Sequence, residues 1–302
     1  MPVELPAVGS RVSLRYRLPA GSASPLTDVV GYLDSAGPEV VVRTKSGELI
    51  TVAAADIVSV RELSHIPVRN SQIRALEHAA AMAWPGVEQQ WLHGWFLRAG
   101  HGATSRANSA VPLEVSAQLA AVAEVADWYR ARGLAAWLAL PERLLSVRSE
   151  GVKHTRVMVR DIDITPVPES VRFAEVPDAA WRRGYQRDVP VEVLTAVVDG
   201  EVTFATLDDA AVGRGAVTSA PDGTRWLGIS SVRVAAEQRG RGHARAVCEA
   251  LLAWGAARGA GRAHVLVRSE NAAAVALYTG LGFRLHHSHR YVAAESLLGF
   301  TI

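Results

Sequence analysis

The 302-residue sequence predicts an α/β (α+β) fold with a small all-β barrel at its N-terminal end. Three observations lead there. Residues 8–63 hold several short alternating or β-branched segments, punctuated by Gly, Pro, Ser and Asp. Beyond residue 67, strand-like segments alternate with stretches whose apolar residues recur every three or four positions. The order strand, helix, strand, helix, strand then occurs twice, around 104–161 and 226–292, which suggests an internal duplication although identity between the halves is slight. These features predict a barrel over 1–66, a first α/β half over 67–165 and a second over 168–302, with "TPVPES" at 165–170 as the linker.

In the barrel region, "RVSLRYRL", "TDVVGYLDSA", "EVVVRTKSG" and "LITVAAADIVSVREL" read as strands. A helix follows, with Ile73, Leu76, Ala80 and Ala83 on one face, ending near "WPG". "WLHGWFLRA" and "ATSRANSAVPL" are strands; "AGHGATSRANS" joins them and opens no helix, so a hairpin loop is expected there and no phosphate site. Val115, Leu119, Val122, Ala126 and Tyr129 mark a helix, "LAAWLAL" a strand, "PERLLSVRSEG" a short helix and "VKHTRVMVRDI" a strand. In the second half, "VRFAEV" is a strand and "PDAAWRRGYQRD" a helix. "VEVLTAVVDG", "EVTFATLDD", "AAVGRGAVTSAPDG" and "RWLGISSVRV" are strands. The loop "EQRGRGHA" leads into a helix bearing Ala244, Val247, Cys248, Leu251 and Trp254. "RAHVLVRSE" (strand), "NAAAVALYTG" (helix) and "FRLHHSHRYV" (strand) complete it.

Composition narrows the function classes. Hydrophobic residues make up 49%, enough for extensive cores, and eight Trp add to them. The net charge is +2 and the pI about 8.9, neither of which marks a dedicated nucleic-acid binder. Residues 1–63 carry six Lys/Arg against seven Asp/Glu, so the barrel would not draw in phosphates and a packing or interaction role is expected. With Cys248 as the single cysteine, no internal disulfide is available, which fits a reducing compartment. There is no basic-then-apolar leader and no run of roughly 18 apolar residues, so a cytoplasmic protein without a membrane span is expected. Abundant Arg and Ala, beside only Lys45 and Lys153, suggest a GC-rich bacterial genome.

The chemistry concentrates in "EQRGRGHA", 237–244, which leaves a strand and opens a helix. Unpaired amides at a helix start and the helix dipole form an anion site. Gly240 and Gly242 let the backbone turn, Arg239 and Arg241 add charge, and residues 231–262 hold six Arg against two Glu. The dinucleotide pattern G-x-G-x-x-G fails at Arg245, and no P-loop is present.

Arg239, Gly242 and Ala244 fit R-x-x-G-x-A, preceded by "SVRVAAEQ", and "SENAAAVALYTGLGF" at 269–283 fits N-x-x-A-x-x-L-Y-x-x-x-G-F. Together these resemble the pyrophosphate loop and closing motif of the GNAT superfamily of N-acetyltransferases. The resemblance covers 168–302; 67–165 looks like a degenerate copy, because its junction "SAVPLEVS" has no glycine. The first segment resembles a Src-homology-3 (SH3)-like barrel. Barrel first and GNAT last, the arrangement is similar to an actinobacterial family of GNAT proteins described as histone-acetyltransferase-like.

The resemblance implies acetyl-CoA as donor and an amine as acceptor, either a small molecule or a protein lysine or N-terminus. It implies a CoA pyrophosphate held by Arg239, Gly240, Arg241, Gly242, His243 and Ala244, a pantetheine arm on the main chain of Val232 and Val234, Asn271 hydrogen-bonding the cofactor, and Tyr278 protonating the departing thiolate. Many relatives carry a Glu on the strand before the loop; here it reads Ile229, Ser230, Ser231. The base is therefore open between a water relay, Glu201, Asp208 and Asp209, and a CoA-binding sensor without turnover is the alternative to an enzyme. His287 and His289 of "HHSH" share a strand face, but no further ligand cluster accompanies them, so no metal is expected. Cys248, on the apolar helix face, is expected to be an inert core thiol.

Overall fold

The computed structural model describes residues 3–163 and 170–298. The expected linker lies outside the described residues except for Ser170. The chain divides after Pro67 into two compact units.

The first unit is a five-stranded antiparallel sheet of β1 (Arg11–Arg17), β2 (Leu26–Ala36), β3 (Glu39–Thr44), β4 (Leu49–Ala53) and β5 (Ile57–Glu62), in the order β4-β3-β2-β1-β5. Alternation puts Val12, Leu14, Leu33, Val40 and Val42 inside. Where β2 crosses β3, a Cβ on Gly31 would lie 2.3 Å from the Arg43 carbonyl oxygen, so only glycine fits.

The second unit contains α1 (Asn70–Met82), β6 (Glu88–Leu92), β7 (Trp95–Ala99), β8 (Val111–Pro112), α2 (Val122–Arg130), β9 (Trp137–Pro141), β10 (Val152–Asp161), β11 (Arg172–Ala174), α3 (Ala179–Tyr185), α4 (Val191–Thr195), β12 (Glu201–Leu207), β13 (Ala211–Ser219), β14 (Arg225–Val234), α5 (His243–Ala256), β15 (Arg262–Arg268), α6 (Ala272–Gly280), β16 (Arg284–Ala293) and α7 (Glu295–Leu298). Eight strands form one sheet, β11-β12-β13-β14-β15-β10-β16-β9, and β6-β7-β8 form a second. The segments 67–165 and 168–302 thus share a sheet: β10 is inserted between β15 and β16, and β9 pairs with the outer edge of β16. A single parallel bridge, Ala110 to Leu138, links the β8 and β9 regions.

Alternate residues of β14 face opposite sides. Trp226 packs with Leu76 and Ala79 of α1, while Leu227 packs with Leu251 of α5. The α5 side forms the largest core, where Cys248 is fully buried and its thiol is pushed up to about 12 by desolvation. A second core gathers Trp95, Val125, Tyr129, Leu138 and Val292. Among the described residues, no helix is long and apolar enough to cross a membrane.

Several local expectations are overturned. "WLHGWFLRA" is no single strand but the end of β6 and all of β7 about a turn at His93 and Gly94, and of "ATSRANSAVPL" only Val111–Pro112 is a strand. The "VEVLT" part of the expected strand is α4, because the buried Arg214 guanidinium donates to the Leu194 and Ala196 carbonyls (2.6 and 2.9 Å) at its end. "PERLLSVRSEG" forms no helix: Arg290 takes the Val147 and Ser149 carbonyls (3.0 and 2.9 Å) that a helix would need. The helix marked from Val115 begins only at Val122, after a 3₁₀ turn over Leu119–Ala121, and Val115 is exposed.

Candidate functional site

β14 and β15 run parallel, paired only from Trp226–Ile229 to Arg262–Val265. Beyond that point β14 carries a bulge, with Ser231 at φ 55, and the two strands separate. The gap opens a cleft of about 400 Å³ lined by Ile229 to Arg233 of β14 and Leu266 to Arg268 of β15. Asn271 and Tyr278 line it from the α6 side, and His289 and Tyr291 from β16. The loop between β7 and β8 adds Thr104, Ser105 and Arg106; that loop is held by the Asn108 side chain, whose Oδ1 accepts from Gly100 and Gly102 amides (2.8 and 2.9 Å). β7 and β8 pair antiparallel, as a hairpin requires.

Of the expected site residues, Val232, Asn271 and Tyr278 meet in this cleft. Val234 pairs with Ala211 and packs against the α5 core at the end of the same strand. Arg239 to Ala244 follow as the loop into α5 and do not line the cleft itself. Gly240 and Gly242 have φ of +76 and +87, and no atom lies within 4 Å of where a Cβ would stand, so conformation and not crowding requires glycine. Gly242 is the N-cap of α5 without a side-chain cap, which leaves the first-turn amides of His243 and Ala244 without intrahelical acceptors. Arg239 and Arg241 are exposed beside them. Asn271 caps α6, its Oδ1 accepting from the Ala274 amide at 3.1 Å, so its side-chain NH₂ is the part left for a ligand. Burial raises the Tyr278 phenol above its ordinary range and keeps it protonated at neutral pH.

The carboxylates considered as bases lie elsewhere. Glu201 is exposed and pairs with Arg258 (3.0 Å) and Arg225 (3.7 Å). Asp208 and Asp209 line a separate hollow with Arg172 and Thr206. A group the sequence analysis did not find stands beside the cleft instead: Glu77 of α1, buried, with Oε1 2.8 Å from His287 Nε2 and 3.2 Å from His289 Nδ1. Burial raises the Glu77 carboxyl, but the His289 charge and the two imidazole hydrogen bonds outweigh that and hold it well below the usual carboxylate range. The sequence offers only a partial signal: Glu77 stands four residues from Ile73 and three from Ala80, inside the apolar stripe of its helix, while its imidazole partners are far along the chain. No group of three or more metal-ligating side chains among the described residues is placed to hold a metal ion.

Residues 70–292 match the family model "Probable histone acetyltransferase Rv0428c C-terminal", and residues 6–61 match "Rv0428c N-terminal Sm-like domain". The chain is 49% identical over 298 residues, 98% of each sequence, to "Probable histone acetyltransferase Rv0428c" of Mycobacterium tuberculosis. The chain belongs to the Rv0428c-type histone acetyltransferase family. Its barrel is accordingly Sm-like and not SH3-like as expected; that expectation rests on a run of short strands, which does not separate two five-stranded barrels. The family's C-terminal region is GNAT-like, and here it carries the splayed parallel strands and the glycine loop. The chain is also 27% identical over 248 residues to "Uncharacterized N-acetyltransferase YobR" of Bacillus subtilis, covering 72% of this chain and 97% of that one. Among solved structures it is similar to a GCN5-related N-acetyltransferase from Kribbella flavida, with a TM-score of 0.48 and 14% identity over 74% of this chain and 94% of that one.

Proposed function

We propose that this Rv0428c-family protein is an acetyl-CoA-dependent N-acetyltransferase that moves an acetyl group to an amine by direct attack in a ternary complex. The observation that carries the reading is the cleft between β14 and β15, which brings Val232, Asn271 and Tyr278 together just ahead of an α5 N-terminus opened by two left-handed glycines. The residues present fit the donor. First-turn amides and the Arg239 and Arg241 side chains would hold the pyrophosphate. Main chain of Val232 and Val234 would hold the pantetheine arm and orient the thioester carbonyl, and Asn271 would donate from its amide nitrogen. Acetyl-CoA supplies the thioester to be cleaved. Tyr278, protonated and lining the cleft, would deliver its proton to the departing sulfur.

A CoA-binding sensor without turnover is the second reading, favoured because no carboxylate is among the described residues that line the cleft. Acetyl transfer across an amine panel separates the two. Arg106, Lys153, Arg187, Arg233 and Arg268 line the cleft, so the panel includes an anionic amine such as L-glutamate beside spermidine, glucosamine and a lysine-bearing histone-tail peptide. Acetyl-CoA binding with no transfer to any of them overturns the enzyme. Tyr278→Phe is expected to slow transfer about 100-fold and leave acetyl-CoA affinity within about twofold, measured by calorimetry. A collapse of affinity makes Tyr278 a structural residue.

A further inference from the structure

We propose that His289, oriented by Glu77, is the general base that deprotonates the acceptor amine. The inference rests on the acetyl-transfer reading and supplies the group that β14 lacks. His289 lines the same cleft as Tyr278, is 4% exposed, and its Nε2 is buried with no hydrogen-bond partner. It is the one imidazole among the described lining residues.

The hydrogen bonds to Glu77 fix which imidazole nitrogens donate. An ionised Glu77 can only accept, so His287 donates from Nε2 (2.8 Å) and His289 from Nδ1 (3.2 Å). His286 Nδ1 lies 2.8 Å from His287 Nδ1, so one of these two rings donates to the other. His286 is neutral there, as burial and then the neighbouring His287 push its pKa down to about 3. When neutral, His289 donates from Nδ1 and presents a bare Nε2, the form that takes a proton. Within this cluster the buried nitrogen left without a partner is Nε2 of His289, the ring that lines the cleft.

Titratable and charged groups come from the elements around it. Glu77 comes from α1, His287 and Tyr291 from β16, Lys153 from β10, and Arg268 and His264 from β15. Arg98 of β7 and Arg106 of the following loop act on the same cluster, while β9 places the uncharged Pro141 opposite. Glu77 is the anion bonded to the ring, so it stabilises the imidazolium formed on proton uptake and is a positioning residue.

In the reaction the acceptor ammonium gives one proton to His289 Nε2, which later releases it to solvent. The free amine attacks the thioester carbon, so the C–N bond forms and the C–S bond breaks with its electron pair leaving on sulfur. The amide nitrogen sheds its second proton to solvent as the adduct collapses, and Tyr278, having protonated the thiolate, regains one from solvent, so the protons balance.

The test follows acetyl transfer by the full chain to the four-amine panel between pH 6 and 9.5, for wild type, His289→Gln and Glu77→Gln. His289→Gln is expected to lower kcat about 100-fold or more at pH 7, with KM for acetyl-CoA within about twofold, and to recover as pH approaches the acceptor's own pKa. Glu77→Gln is expected to lower kcat about tenfold and move the ascending limb of the profile to lower pH. A His289→Gln profile superposing on wild type overturns the base and leaves the acetyltransferase standing. A wild type that binds acetyl-CoA and acetylates none of the amines overturns both. Should the variants prove insoluble, imidazole ¹⁵N spectra of the wild type decide: His289 protonated on Nδ1 and bare on Nε2 is the expected state, and a proton on Nε2 overturns the proposal.

Discussion

Two junctions in this chain lead from a strand into a helix and on to a parallel neighbour. Between β8 and α2 the chain crosses residues 113–121, and between β14 and α5 residues 235–242. The first contains no glycine. It turns through an Ala117 amide to Glu114 carbonyl bond (3.2 Å), and the Gln118 carbonyl accepts from Trp95 Nε1 at 3.1 Å. It also packs onto its own sheet: a Cβ on Gly94 would meet the Ala117 amide nitrogen at 2.6 Å. The second turns through Gly240 and Gly242, both left-handed, with open space beside them. The parallel pairs differ too. Ala110 meets the apolar Leu138 in one, and Gly228 meets His264 in the other. Strand–helix–strand order alone therefore does not set the backbone at a helix start; left-handed glycines leave the second start uncovered, as the anion site proposed there needs.

The largest break in this contrast comes from Gly242→Val. A β-branched residue at φ 87 is strained by roughly 1–2 kcal/mol, and relief of that strain would re-aim the α5 amides. Acetyl-CoA affinity is expected to fall tenfold or more, read by calorimetry, while a far-UV spectrum stays that of the wild type. His264→Leu makes the second parallel pair resemble the first. Buried His264 titrates at about 3, held down by desolvation and then by Arg106, and both its ring nitrogens lack partners. The unfolded ring takes a proton near pH 6.5 that the folded ring refuses, so this stability is full above about pH 6.5 and falls on acidification. Urea titrations at pH 7 and pH 5 are expected to show the variant losing about 2 kcal/mol less than wild type over that interval. The smallest effect is that of Asn271→Ala. It removes the α6 cap, an element that α2 does without because Ala121 stands at its start. A loss of about 1 kcal/mol is expected in the same titrations.

Much of this was legible from local pattern. Period-2 alternation marked the barrel strands, and the 3.6-residue stripe of α5 with its glycine start marked the loop. Val232, Asn271 and Tyr278 belong together in the sequence only through the resemblance to the GNAT motifs; the structure brings all three to one cleft. Features decided by distant partners were not legible. The chain enters α4 because Arg214, on β13, binds the carbonyls at its end; Val-rich local sequence favours a strand. Arg290 holds 147–149 extended in the same way. Glu77 reads as one polar residue in a helix until β16 brings two imidazoles against it, some two hundred positions away in the chain.

The insertion of β10 has a consequence for how the protein is made. Thr155 and Val157 find their partners at Arg268 and Leu266 on one side, and at His289 and His287 on the other, on the order of a hundred residues further along the chain. At a synthesis rate of about 5–20 residues per second, a nascent β10 waits roughly ten seconds with both edges unpaired. Its run of Val157, Met158 and Val159 is apolar and β-prone. On the ribosome the first α/β segment cannot complete before the second, and β10 is the stretch a holding chaperone would have reason to cover.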